Sequence, residues 1–494
     1  MHYKRFITLG WGFCMLWAVS LAAAQAQAQA PGPVEPASAV PAASAPAVAA
    51  PVPVATPAIA AATAPAPPAT PASAPLTRPG LVAADTLNGA DTAWMMTSTA
   101  LVLLMTLPGI ALFYGGMVRK KNVLDTMACV VAICAVVSLL WFAVGYSLAF
   151  TPGSGGALGH YIGGGERLWF AGLDYVKDAQ KVAVSHIAPN IPESVYAMFQ
   201  LTFAIITAAL VVGAFVERMR FSAMLCFISL WTLVVYAPIA HWVWEPNGWL
   251  AQLGVLDFAG GSVVHINAGV AGLVCAYVLG PRRGYGHEAF TPFNLGLTMA
   301  GAGMLWVGWF GFNAGSAVAS DGRAGLAMAV THIAAAAGAL SWMAAEWMVR
   351  KRPTLLGLCS GLVAGLVAIT PAAGFVSPRA ALAIGLIAGV ACYWGATGLK
   401  RLLNADDSLD VFGVHGVGGI VGSLLTGVFA SKTIAGVEGS VLTQAIGVGA
   451  VLCYSLLMTA VVLWLTSLVF SLRVSGSSES DGLDIAQHAE RIGT

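Results

Sequence analysis

Eleven long apolar stretches follow Asp91, and they constrain this chain more than any other feature. Each is close to the length of about 20 residues that an α-helix needs to cross a bilayer. They cover approximately 94–117, 123–150, 195–216, 220–241, 258–280, 291–314, 325–349, 354–373, 379–399, 411–430 and 442–471. Only 9% of the 494 residues are charged, against roughly 25% in soluble domains. Backbone groups in lipid must be satisfied within their own segment, so the expected fold is an all-α polytopic membrane protein. The net charge of +1 gives no reason to expect nucleic acid as a partner.

Residues 1–28 combine a basic start, a short apolar core and an AxA-like end, as in a secretory signal peptide. Residues 29–90 are mostly Ala, Pro, Val, Ser and Thr, a composition expected to form an extended extracytoplasmic linker. Residues 91–472 then form the membrane domain and 473–494 a polar tail. Fourteen Lys and Arg in the inter-span segments and tail fall on one side and six on the other. The positive-inside rule therefore puts the mature N-terminus outside and the tail in the cytoplasm. The seven cysteines of the membrane domain sit in apolar runs without CxxC spacing and read as small hydrophobes.

An internal repeat stands out. The fifth span carries His265, Ala268, Gly269 and Gly272, and the tenth carries His415, Gly418, Gly419 and Gly422. Small residues three, four and seven places after each histidine share its helical face and let helix backbones approach closely. Five spans separate the two motifs, so their helices cross in opposite senses. That is the pattern of inverted repeats, with a site expected where the halves meet.

Three readings of the histidines stand at this point. They hydrogen-bond neighbouring helices, they bind a metal, or they line a transport path. A metal wants three or four ligands, and no other His, Cys or Glu shares their faces. Ionisable residues inside a membrane mark pathways, and a coupled imidazole pair can hold or pass one proton. His332 has no repeat counterpart and reads as structural. His160, His186, His241, His287 and His488, in loops, at span ends or in the tail, read as solvated. Asp257 and Asp410 precede the two motifs and read as helix N-caps, Asp257 also as electrostatic help to a cation.

The blocks LPGIALFYGGMVRKKN (107–122), GAFVERMRFSA (213–223), LDFAGGSVVHINAG (256–269), WVGWFGFNAGSA (306–317) and LDVFGVHGVGGIVGS (409–423) closely resemble the ammonium transporter (Amt/Mep/Rh) family, bacterial inner-membrane branch. The resemblance implies eleven transmembrane helices, as two inverted five-helix repeats plus one peripheral helix, assembled as a homotrimer. It implies an outer recruitment site of Trp244, Phe203 and Ser316, a gate of Phe203 and Phe312, and a twin-histidine pore of His265 and His415. Trp309, Tyr114 and Tyr236 fall on pore-proximal family positions, and Gln200 also matches. It further implies that the tail packs beneath the trimer and helps regulation by a PII signalling protein; a disordered tail is the alternative. Glu245 and Pro246 depart from the family, which has small residues there, and are expected to alter the charge of the mouth or the tilt of Trp244.

The expected function is transport of ammonium or ammonia, without a cofactor and without enzymatic activity. Recruited ammonium would lose its proton near the gate, and ammonia would pass the histidines, which assist a proton route. The rivals are an ammonium sensor, for which no output domain follows the last span, and a Rh-like neutral gas channel. A membrane enzyme using the histidines as acid and base would need a nucleophile or metal facing them, and neither is found.

Overall fold

The computed structural model describes residues 76–153 and 155–493. The signal peptide and most of the linker lie outside the described residues. Among the described residues, ten helices are long and apolar enough to cross a membrane: Gly89–Met117, Lys120–Phe150, Glu193–Phe215, Phe221–Gln252, Gly261–Leu279, Leu295–Gly315, Gly322–Arg350, Pro378–Leu403, Phe412–Phe429 and Val441–Val469. An eleventh apolar helix, Leu355–Ile369, occupies the place of the expected eighth span but has 15 residues. It stops short because Pro371 has no N–H to continue the ladder. The chain is thus the expected all-α membrane protein, its spans counted below in chain order with Leu355–Ile369 as the eighth.

Polar residues that cannot sit in lipid mark the helix starts. Asn88 begins the first span by accepting hydrogen bonds from the Ala90 and Asp91 N–H groups. Asn294, Asp321, Thr354, Ser377 and Ser440 do the same for spans six, seven, eight, nine and eleven. Each satisfies backbone donors that the first turn leaves unpaired.

Part of the segment read as linker is structured. Strand β1 (Gly80–Ala83) pairs antiparallel with β3 (Lys181–Val184), which also pairs with β2 (Tyr175–Val176). This small sheet lies between the second and third spans in sequence. It recruits chain from before the first span at Gly80–Ala83, where Leu81 and the β-branched Val82 suit an extended backbone.

The tail is also structured. Two short helices, Gly476–Asp481 and Leu483–His488, dock on the starts of the second and fourth spans. Asp484 Oδ1 accepts from the Asp125 N–H at 2.8 Å, and Leu483 N–H donates to Asn122 Oδ1 at 2.9 Å. Gln487 Oε1 accepts from the Phe221 N–H at 2.8 Å. His488 Nε2 lies 3.0 Å from Asp125 Oδ1, a contact that draws the imidazole pKa upward. His488 is therefore paired, not solvated. Among the described residues the tail is a clasp, not a loose end.

Candidate functional site: a ring-lined path between two crossed helices

The fifth and tenth spans both begin with a π-helical turn, Gly261–Ile266 and Phe412–Gly416. These turns widen the helix locally and put His265 and His415 at its opening end. The two helices then cross at glycine. A Cβ on Gly419 would lie 2.8 Å from the Gly261 carbonyl oxygen, and one on Gly269 would strike the Gly416 backbone. These contacts are reciprocal: each helix presses the glycine four places after its own histidine against the opening turn of the other. A quasi-two-fold axis therefore runs between the histidines. His265 Nδ1 and His415 Nδ1 are 3.3 Å apart, with ring centroids 5.4 Å apart. Both side chains are buried.

The cap of the fifth span is Asp257, as expected. Its Oδ1 accepts from the Gly260 and Gly261 N–H groups at 2.9 and 2.6 Å, and its Oδ2 from those of Ser262 and Val263 at 2.8 and 3.1 Å. Burial nevertheless pushes its pKa up, against the pull of those four donors. The cap of the tenth span is Asp407, not Asp410. Asp407 Oδ2 accepts from the Phe412 N–H at 2.7 Å, and burial raises its pKa to about 6. Asp410 has φ +59° and turns its carboxylate to Lys400 Nζ at 2.7 Å. The sequence carried a signal for Asp407: it precedes His415 by eight residues, as Asp257 precedes His265.

From the histidines a row of rings leads to Trp244. His265 stacks on Trp309 at 5.4 Å and on Phe312 at 6.0 Å. Phe312 stacks on Phe203 at 4.2 Å with the planes 23° apart. Phe203 meets Trp244 edge-on at 5.7 Å. Phe203, Phe312 and Trp309 are fully or nearly fully buried. Two indoles are fixed by hydrogen bonds: Trp244 Nε1 donates to the Asp257 carbonyl at 2.9 Å, and Trp309 Nε1 to Thr370 Oγ1 at 2.9 Å. Ser316 joins the row through Phe312, whose carbonyl accepts its hydroxyl at 2.8 Å. The hydroxyl proton is thereby spoken for, leaving the oxygen lone pairs as acceptors.

Beyond the histidines, toward the tail, a cavity is lined by His415, Tyr114, Asp410, Trp342 and Ser360. Tyr114 donates to the Leu210 carbonyl at 3.1 Å. Tyr236 lies apart from the row, buried against Trp141 at 6.2 Å, and Gln200 bonds Tyr196 at 3.3 Å. The structure thus brings Trp244, Phe203, Phe312, Trp309, His265 and His415 into one line, with Ser316 at one end and Tyr114 and Asp410 at the other. Among the described residues, no group of three His, Cys, Asp or Glu is placed to hold a metal ion.

Several other histidines depart from the solvated reading. His241 is fully buried, its ring nitrogens 3.1 and 2.9 Å from the Ala149 and Gly159 carbonyls. His160 Nδ1 lies 2.8 Å from the Asn247 carbonyl. His186 Nε2 lies 2.9 Å from Glu245 Oε1, both side chains almost wholly out of solvent. His332, which reads as structural and not as solvated, stacks on Trp306 at 5.0 Å on an exposed face. At His241 and His186 the interior carbonyls and carboxylate of distant segments draw the ring in, and linear spacing carries no trace of them.

Residues 93–492 match the model of the Ammonium Transporter Family. The chain is 46% identical to the ammonium transporter of Bacillus subtilis (strain 168) over 410 residues, 81% of this chain and 98% of that one. Among solved structures it resembles Saccharomyces cerevisiae Mep2, with 37% identity and a TM-score of 0.72 over 79% of this chain and 89% of that one. A structure titled Sensor Amt Protein matches with 29% identity and a TM-score of 0.73, over 81% and 98% of the two chains.

Proposed function

Because the chain belongs to the ammonium transporter family, we propose that it recruits ammonium at Trp244, Phe203 and Ser316, releases the proton near the Phe203–Phe312 pair and passes ammonia along His265 and His415. The observation that carries this reading is the unbroken row of rings from Trp244 to His415. An indole or phenyl face attracts a desolvated cation by about 2 kcal/mol, and the Ser316 oxygen offers an acceptor to an N–H donor. Burying an unpaired ion in a dry medium costs on the order of tens of kcal/mol. A few rings do not offset that, so ammonium enters the row as ammonia.

The imidazoles suit that cargo. A hydrogen bond between the two Nδ1 atoms needs one of them protonated and the other bare. The two Nε2 atoms then differ, one a donor and one an acceptor, and ammonia is complementary to both. His265 Nε2 is buried without a protein partner. The released proton is taken up by the same pair, and net cation movement follows by a split route. The chain works as a homotrimer in the inner membrane, with its N-terminus periplasmic after signal cleavage and the tail clasp facing a PII protein in the cytoplasm.

Ammonium-evoked current in proteoliposomes of the purified protein tests this reading. A saturable current carried by ammonium is expected; ammonia flux without current would favour a neutral gas channel. The likeness to a structure titled Sensor Amt Protein supports a second reading, in which the same site signals. Ammonium uptake in a transport-deficient cell separates the two.

A further inference from the structure

The segment 185–190, SHIAPN, runs from strand β3 into the third span, the helix that carries Phe203. On its way it touches both other sides of the site. His186 Nε2 meets Glu245 Oε1 at 2.9 Å, and Glu245 is the residue directly after Trp244. Asn190 Nδ2 donates to Asp91 Oδ2 at 2.7 Å and to the Val318 carbonyl at 3.2 Å, and the Asn88 N–H donates to the Asn190 carbonyl at 2.9 Å. Asp91 Oδ1 in turn accepts from the Ser320 N–H at 2.8 Å and the Ser320 hydroxyl at 3.0 Å. Val318 and Ser320 belong to the turn that follows Ser316.

We infer that residues 185–190 form a strap that sets the geometry of the outer mouth, His186 holding the Trp244 side through Glu245 and Asn190 holding the Ser316 side through Asp91. His186, Glu245, Asn190 and Asp91 are positioning residues in this account, and the inference rests on the recruitment site proposed above.

Two features single the strap out. Glu245 is wholly buried, and a buried carboxylate is costly unless paired. His186 supplies the pair, and Glu245 Oε2 also accepts from the Asn247 N–H in the turn after Trp244. The carboxylate therefore locks both the strap and the turn to the end of the helix that presents the indole. On the other side, Val318 sits at φ +54°, a conformation β-branched residues avoid. A carbonyl held from outside by Asn190 keeps that turn in place, and with it the Ser316 hydroxyl. The strap continues straight into the helix bearing Phe203, so all three recruitment residues are referenced to one short segment.

A mere surface staple would affect stability and leave recruitment alone. The test is the ammonium concentration giving half-maximal current in proteoliposomes of the full chain, with His186→Ala, Glu245→Ala, their double variant, Asn190→Ala and Trp244→Leu measured side by side. His186→Ala and Glu245→Ala are each expected to raise it about tenfold, the scale of one lost hydrogen bond to a charged group, with much less effect on maximal current. The double variant is expected to be no worse than Glu245→Ala alone, since that variant already removes the contact with His186. His186→Gln, which keeps a donor, is expected to restore most of the affinity. Should Glu245→Ala not fold, Glu245→Gln carries the same test.

If Trp244→Leu raises the half-saturating concentration while all strap variants leave it unchanged, the strap inference is overturned and the recruitment site stands. Additive losses in the double variant overturn the pairing. If Trp244→Leu itself has no effect, the recruitment reading is what fails.

Discussion

His265 and His415 face each other Nδ1 to Nδ1 at 3.3 Å across the crossing of two oppositely directed helices. One proton serves both nitrogens, so the two rings act as a single unit. Replacing either with Ala is therefore expected to abolish or reroute ammonium-evoked current, and replacing both to cost no more than one. Solid-supported membrane recordings of the three variants check this. Unchanged currents and selectivity would remove the histidines from the path.

Phe203 and Phe312 stack at 4.2 Å, leaving no room for water between the rings. Phe312→Ala is expected to open the row to hydrated ions, so that potassium carries current where the parent protein excludes it. Loss of the ring also leaves a cavity costing about 3–5 kcal/mol if the site does not collapse. Melting of the purified protein separates the two effects. A variant that still excludes potassium would make the pair ordinary packing.

At Gly419 any side chain meets the Gly261 carbonyl oxygen, a backbone atom that cannot rotate away. Gly419→Val is expected to force the helices apart, lowering stability by roughly 1–3 kcal/mol and lengthening the path between the histidines. The same substitution at Gly436, where no atom lies within 4 Å of an added Cβ, tests general valine effects, though its φ of +76° carries its own local strain.

The tail clasp is expected to loosen in alkali. His488 faces Asp125, the Phe221 ring, Asp484 and Glu490, and Gln487 donates to the same Asp125 carboxylate. The hydrogen bond that His488 donates to the Asp125 carboxylate raises its pKa despite partial burial. A raised folded-state pKa means the contribution is complete below the ordinary histidine value and fades as pH climbs through the higher one. Hydrogen exchange in residues 476–488 should rise over that window, and His488→Ala should flatten the dependence. Exchange that is independent of pH in the parent protein would refute it.

Much of this was legible in linear form because the bilayer imposes its own arithmetic. Span lengths and the matched histidine–glycine faces of spans five and ten follow from helix period and membrane thickness, and the structure keeps the faces and every length but that of the eighth span. Asp407 was legible too, from its offset to His415, but the nearer Asp410 drew the reading away from it. The eighth span came out shorter because Pro371 ends its hydrogen-bond ladder. His186, His241 and His488 were out of reach: each is held by a partner more than 50 residues away in sequence. Strand β1 was hidden at the end of an Ala/Pro-rich tract whose composition says nothing of a segment that pairs.

That strand bears on where the molecule can be trimmed. The family match begins at residue 93, which invites shortened versions starting there. Yet Gly80–Ala83 is the outer edge of the sheet whose central strand leads directly into residues 185–190. Cutting after Ala83 would bare one edge of that central strand and, if residues 185–190 set the proposed mouth, is expected to slacken it, so a minimal version is best begun no later than Gly80.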